Sequence, residues 1–458
     1  MAAPYAPVAD PTATLLKPSQ WQLLQETLDQ APTHGFAPGE FTPAGMADKL
    51  MAADAATRAD GGRLLIGAVL RYAKAVKAGR LAPDAFLNDW GLRPLPYDPG
   101  PEFIRAVAED RLAAWLAALP PPYSGYQALR RALVAWRASV APATGATWRP
   151  IPVGKALSAD NRADPRIGDL RRNLAVYGYA VDPAATGWDA ALTEAVIQFQ
   201  KRHGLSAEGV VGKTTLEALN VSPEARERQI IANLERWRWL PPTLPRDRMQ
   251  VNIVAGLLTL FQADQPVLSM RAVAGKVGNE TPMLQSMVHS VVLNPPWNVP
   301  AGIAAKELFP KGSAYLARNG FRVIDGRLQQ RPGPTSALGR LKFDFLNPYA
   351  VYLHDTPSQS TFARDDRLAS HGCVRLQNPR ALAKALFKAD PVWTPDAIEA
   401  GIAAGTTRRV PLPEQVAVFL LYWTAFAGSD GQINFRADRY GWDELLLKLI
   451  ARGQGLRT

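Results

Sequence analysis

The stretch YLHDTPSQSTFARDDRLASHGCVRLQNP, residues 352–379, holds the only cysteine of a 458-residue chain, Cys373, between a near histidine, His371, and a far one, His354. A thiol serves acyl transfer as the thiolate, so it needs a base within hydrogen-bond reach or a cationic setting. His371 stands two residues before Cys373 in a glycine turn, a spacing that need not carry the imidazole onto the sulfur. His354 ends an apolar strand-like run, AVYLH, from which a fixed side chain can meet a loop returning to the sheet. Gly372 has no Cβ, so backbone there can approach a substrate closely, and successive N–H groups around a nucleophile can hold an oxyanion. On residues alone, Cys373 reads either as an inert buried thiol or as a nucleophile.

Working outward, 47% hydrophobic residues in a chain this long can bury several cores and predict about two to four domains. The longest apolar run, VAVFLLYWTAFAG at 416–428, is shorter than the ~20 residues that span a bilayer and reads as a buried strand. A single cysteine excludes an internal disulfide framework and a cysteine-based zinc site, and no metal or organic cofactor is expected. The formal charge of +11 favours an anionic neighbour. No arginine-rich tract, zinc finger or RNP-like motif accompanies it, so nucleic acid is not expected, whereas an acidic polymer such as a cell wall fits. The start, MAAPYAPVADPTATLLKP, has no charged segment followed by an apolar one. Taken literally that means cytoplasm; it reads equally as a mature exported chain behind a start codon.

Three parts follow from periodicity. Residues 1–160 form a helical scaffold, since WQLLQETLDQ, GRLLIGAVLRYAKAVKAG and GYQALRRALVAWRASV place apolar residues at three- and four-residue spacing. His34 reads there as a structural or solvated loop residue. Residues 161–222 form two or three short helices, with His203 expected in a surface loop between them. A linking helix over 223–248 carries Trp237 and Trp239 into a Pro-Pro stop, where they pack between parts. From 249 to 458 the period changes to strand-like, with turns of Gly, Pro, Asn and Asp and short helices near IAAKELFPKG and PRALAKALFKA. The predicted fold class is multidomain α+β: a helical scaffold, a small helical bundle and a mainly β domain. In it His289 and the RDDR run at 364–367 read as surface residues.

Two resemblances sharpen this. Leu174, Gly178, Tyr179, Thr193, Ala195, Val196, Phe199, Gln200, Gly204, Leu205, Gly209, Val211, Gly212, Thr215, Ala218 and Leu219 carry a pattern similar to the peptidoglycan-binding domain of bacterial wall enzymes. Most of these are core or turn positions, so the pattern identifies a fold more than a ligand contact. The order His354, Ser370, His371, Gly372, Cys373, Val374, Arg375 resembles the signature of the L,D-transpeptidases with a YkuD-type catalytic domain. VNIVAG, LGRLKFDFLNPYAVYLHDTP and INFRADRYGWD are similar to the long, YcbB-like branch of that family. Many members have Asn where this chain has Arg375, and the cap of that branch, here about 310–339, looks short.

The resemblance implies that Cys373 attacks an amide carbonyl of a peptidoglycan stem. His354 takes the thiol proton, and the N–H groups of Gly372 and Cys373 hold the oxyanion. His371 orients the loop or binds substrate, and Arg375 supports the turn or pairs with a substrate carboxylate. Tyr352, Ser370, Asp355, Trp297 and Asn298 are the expected substrate-binding residues, Asp355 with the option of orienting His354. The implied partners are donor and acceptor stem peptides, with glycan strands held through 161–222; the implied site of action is the periplasm. The product would be 3→3 cross-links from tetrapeptide donors. Open alternatives are attack on another stem amide (1→3 links), lipoprotein attachment, hydrolysis, and an inactive wall-binding protein.

Overall fold

The computed structural model describes residues 16–140, 147–428 and 430–455; residues 1–15 of the Pro/Ala-rich start read above for localisation lie outside them. The scaffold is built from α1 (Pro18–Asp29), α2 (Met46–Leu50), α3 (Ala55–Ala78), α4 (Gly100–Ala108), α5 (Leu112–Ala118) and α6 (Ser124–Val140). In α3, Leu65, Ile66, Val69, Tyr72, Ala73 and Val76 are buried at helical spacing. Asp54 caps its start by accepting from the Thr57 N–H at 2.7 Å. Gly79 ends it at φ +85°, where a Cβ would lie 2.5 Å from the Glu235 carboxylate.

The small bundle is α7 (Ile167–Val176), α8 (Ala190–His203) and α9 (Lys213–Leu219), around Ile167, Leu170, Leu174, Leu192, Val196, Phe199 and Leu219. His203 departs from expectation. It is the last residue of α8, and its ring stacks between Phe199 (3.8 Å) and Phe435 (5.6 Å). Its position four residues after Phe199 brings Nδ1 onto the Phe199 carbonyl at 2.7 Å, so the helix captures it. His34 is likewise internal, 2.8 Å from the Tyr126 hydroxyl.

The link, α10 (Pro223–Trp237), ends well before 248. It is a buried post: Trp237 stacks on Trp423 at 4.3 Å, and Trp239, just past its end, meets Phe86 and Trp90 of the scaffold. Glu235, fully buried, pairs with Arg238 at 2.7 Å and with Arg80 at 3.3 Å, tying scaffold to link by charge.

The larger sheet comprises β1 (Arg248–Asn252), β2 (Leu257–Gln262), β3 (Gln265–Gly275) and β4 (Leu284–Leu293) with strands from the second half of the chain. Between them lie β5 (Trp297–Asn298), α11 (Ala301–Ile303), a π-turn (Ala304–Leu308), α12 (Ser313–Arg318), β6 (Phe321–Ile324) and β7 (Arg327–Gln330). These form a cap with its own three-stranded sheet, β5-β7-β6, and its own core of Val299, Ala304, Leu308 and Leu328. Then come β8 (Leu341–Phe345), β9 (Leu353–His354), β10 (Leu368–Ser370), β11 (Val374–Leu376), α13 (Pro379–Leu386), α14 (Pro395–Ala403) and β12 (Arg408–Leu421). A hairpin, β13 (Ala425–Ala427) and β14 (Ile433–Phe435), precedes the final helix, α15 (Trp442–Gly455). The nine-stranded order is β10-β3-β11-β9-β8-β4-β12-β1-β2, and a further pairing of β2 with β3 joins its far end back. The fold class is the one the periodicities predict. Its largest core runs continuously from Trp90 and Tyr126 through Ile230 and Leu234 to Val291, Leu353, Val374 and Leu420. No helix among the described residues is long and apolar enough to cross a membrane.

Candidate active site

Register brings the candidate residues together. Strand β9 lies between β8 and β11, pairing Phe343↔Leu353 and Lys342↔His354 on one side, and Val374↔Leu353 and Arg375↔His354 on the other. Side chains alternate across a sheet, so Phe343, Leu353 and Val374 share the core face, each fully buried. Lys342, His354 and Arg375 therefore stand abreast on the opposite face. Two residues back along each of β9 and β11, Tyr352 and Cys373 join that face, and the Val374 N–H to Tyr352 carbonyl bond of 3.1 Å keeps the two chains in step. The Tyr352 and His354 rings meet edge to face at 5.6 Å.

His354 is buried, and its Nδ1 lies 2.5 Å from the Asp355 carbonyl. A carbonyl only accepts, so Nδ1 carries the proton and Nε2 keeps its lone pair. Burial, reinforced by the Arg375 charge, lowers the imidazole pKa to about 3. Burial pushes the Cys373 thiol up, opposed by the N–H and hydroxyl of Tyr352 and by the charges of Lys342 and Arg375. At neutral pH the pair rests as neutral thiol and neutral imidazole. The Lys342 ammonium sits 4.2 Å over the Tyr352 ring and pairs with Asp344 at 2.7 Å. Among the described residues Arg375 makes no ion pair with a carboxylate; burial lowers its pKa, and a thiolate at Cys373 would oppose that.

The turn before Cys373 is closed from inside. Ser370 Oγ donates to the Cys373 carbonyl at 2.5 Å and accepts from the Gly372 N–H at 3.1 Å. Ser370 is therefore buried structure and not a substrate-facing residue, and the Gly372 N–H is already engaged. Asp355 also differs from expectation. Its carboxylate accepts from the N–H groups of Arg340 and Thr356, both at 2.7 Å, so its main-chain carbonyl and not its side chain orients His354. His371 does not approach the sulfur by any hydrogen bond; its Nε2 bonds Glu307 of the cap at 2.7 Å, which lowers the Glu307 pKa. The cap reaches the site a second time through Trp297, whose indole lies against the Tyr352 hydroxyl. Asn298 is exposed and accepts from Gln329 within the cap sheet at 2.8 Å.

Lys342 and Glu307 are site residues that the sequence reading did not single out. The alternation in LKFDF was a usable signal for Lys342, since it sets Lys342 and Asp344 on one face. Nothing local announces Glu307. Among the described residues no group of three or more His, Cys, Asp or Glu is arranged to hold a metal ion.

With this geometry in place, three family matches can be set on the chain. Residues 246–394 match "L,D-transpeptidase catalytic domain" (YkuD), residues 14–133 match "Scaffold domain", and residues 163–219 match "Putative peptidoglycan binding domain". A Haemophilus influenzae protein named "Putative L,D-transpeptidase" is 29% identical over 268 residues, covering 52% of this chain and 54% of that protein. The chain thus spans about half the length of this curated relative. An L,D-transpeptidase structure from Mycobacterium smegmatis is 15% identical, covering 38% of this chain and 58% of its own, with a TM-score of 0.22. One from Stackebrandtia nassauensis is 15% identical, covering 60% and 97%, with a TM-score of 0.24. Superpositions at such scores add nothing to the domain matches. In chain order, this protein is similar to a scaffold domain, a putative peptidoglycan-binding domain and a YkuD-type L,D-transpeptidase catalytic domain, each over the residues matched.

Proposed function

We propose that the protein is a cysteine-dependent L,D-transpeptidase that cross-links peptidoglycan stems outside the cytoplasm, in the periplasm. The observation that carries this reading is the ladder that sets Cys373, Tyr352, His354, Arg375 and Lys342 on one sheet face inside the matched catalytic domain. Cys373 Sγ attacks the carbonyl of the donor amide while its proton passes to His354 Nε2. The Cys373 N–H and the Tyr352 hydroxyl stabilise the oxyanion. The C–N bond breaks, the His354 proton leaves with the departing D-alanine amine, and a thioester remains. An acceptor amine then attacks the thioester, gives its proton to His354, and the C–S bond breaks with return of that proton to sulfur.

Arg375, a fixed cation with a planar fork, suits a stem carboxylate. Trp297 and Tyr352 line the donor groove, and His371 holds the cap over it through Glu307. The donor is a tetrapeptide stem and the product a 3→3 link, with the 163–219 domain holding glycan strands. The test is incubation of purified protein with tetrapeptide muropeptides and fragmentation of the products. Dimers made by wild type and absent with Cys373→Ala support the reading, and their fragments identify the amide attacked. Tripeptides without dimers would make the protein a hydrolase, and no product at all would leave a wall-binding protein.

A further inference from the structure

Behind the nucleophile turn lies a hydrogen-bond relay that begins outside the matched catalytic segment. Thr281, fully buried, donates from Oγ1 to the Gly372 carbonyl at 2.7 Å and accepts there from the Gly275 N–H at 2.8 Å. Its own N–H donates to the Tyr440 hydroxyl at 3.3 Å, and that hydroxyl donates to the Gly275 carbonyl at 2.5 Å. Tyr440 is held in turn. Its N–H donates to the Tyr422 hydroxyl at 2.9 Å, their rings stack at 5.1 Å, and Tyr422 donates to Asp438 at 2.7 Å. Each hydroxyl in this relay gives one bond and takes one. The contacts are close: a Cβ at Gly275 would lie 2.1 Å from the Asn279 carbonyl.

We infer that Thr281, braced by Tyr440, is a positioning residue that turns the Cys373 N–H toward the substrate. A trans peptide is planar, so the Gly372 carbonyl and the Cys373 N–H point in opposite directions. Thr281 holds that carbonyl on the buried side, which sets the N–H on the open side beside the sulfur. Gly372 stands at φ +109°, where glycine alone is unstrained, and without Cβ the peptide plane is free to flip unless its carbonyl is held. Ser370 secures the peptides on either side, but not this one.

The inference rests on acyl transfer at Cys373, so its test uses p-nitrophenyl acetate as well as a tetrapeptide stem. Acetylation of Cys373 by the ester needs the same oxyanion donor, whereas iodoacetamide alkylation needs the thiolate and no oxyanion. Thr281→Val is expected to slow acetylation about 100-fold, the scale of one lost oxyanion donor. Its alkylation rate against pH should stay within about twofold of wild type, because the sulfur's neighbours are unchanged. Thr281→Ser should recover most of the acetylation rate. Tyr440→Phe, the milder lesion should Thr281→Val not fold, is expected to show a smaller loss with the same split. Acetylation unaffected in both variants, alkylation falling in parallel with acetylation, or no rescue by serine would overturn the inference. Wild type that accepts the ester but no stem peptide would refute the proposed substrate and leave the positioning role tested on its own.

Discussion

Replacing Tyr352 by Phe removes one hydroxyl from the sulfur's surroundings and leaves the ring that Lys342 covers and His354 abuts. In the folded protein that hydroxyl and the Tyr352 N–H favour the Cys373 thiolate against the cost of burying it. A hydrogen bond to an ionised group contributes about 1.5–3 kcal/mol. Its loss therefore pushes the thiol pKa further up, and at about 1.4 kcal/mol per factor of ten it disfavours the thiolate about 10- to 100-fold. Well below the inflection, iodoacetamide alkylation at fixed pH slows by the same factor. The assay is the alkylation rate across pH for wild type and Tyr352→Phe, with thermal unfolding in parallel. An unmoved inflection in a folded variant would refute the claim that Tyr352 tunes the nucleophile and would leave it only its oxyanion and groove-lining roles.

Other expectations follow from the same contacts. His354→Ala removes the group that takes the thiol proton and should lower acyl transfer about 10²- to 10⁴-fold, measured as single-turnover acylation; near-normal rates would move the base to His371. His371→Ala should keep the alkylation inflection and raise the donor KM, because it loses the bond to Glu307 and not one to sulfur. Glu235→Gln leaves the buried Arg238 without its counter-charge and should cost about 3–5 kcal/mol in urea unfolding, scaffold and link loosening together. His34 and His354 are held at about 3 and so refuse a proton that the unfolded chain accepts below its ordinary pKa near 6.5. Their contribution is complete above about pH 6.5 and is lost as pH falls toward 3, each adding a slope of about 1.4 kcal/mol per unit. In His34→Gln that slope of stability against pH should be shallower by one proton; an unchanged slope would contradict the burial argument.

Legibility tracked locality. The scaffold and bundle helices were readable because Leu65, Val69, Tyr72 and Val76, or Leu192, Val196 and Phe199, recur at the helical period their burial requires. His354 was readable as the polar end of an apolar strand, and alternation carried Tyr352 to the same face. What escaped was set by partners distant in sequence. Glu307 reaches His371 from 64 residues away, and Tyr440 reaches Thr281 across 159. Ser370, Asp355 and His203 were each exposed-looking by residue type, yet a main-chain group nearby claimed the side chain or its role. The cap was read as a short segment from about 310, whereas its sheet begins at Trp297, because a two-residue strand leaves no periodicity to detect.

Acyl transfer through Cys373 is tested most directly by the intact mass of the protein after brief mixing with a tetrapeptide stem whose amine is blocked, so that no acceptor can resolve the intermediate. Wild type is expected to gain the mass of the donor less its terminal D-alanine, with the adduct mapping to Cys373, and Cys373→Ala to gain nothing. An adduct of equal yield on Cys373→Ala, or D-alanine release with no adduct at any time and no dependence on Cys373, would contradict acyl transfer through that thiol.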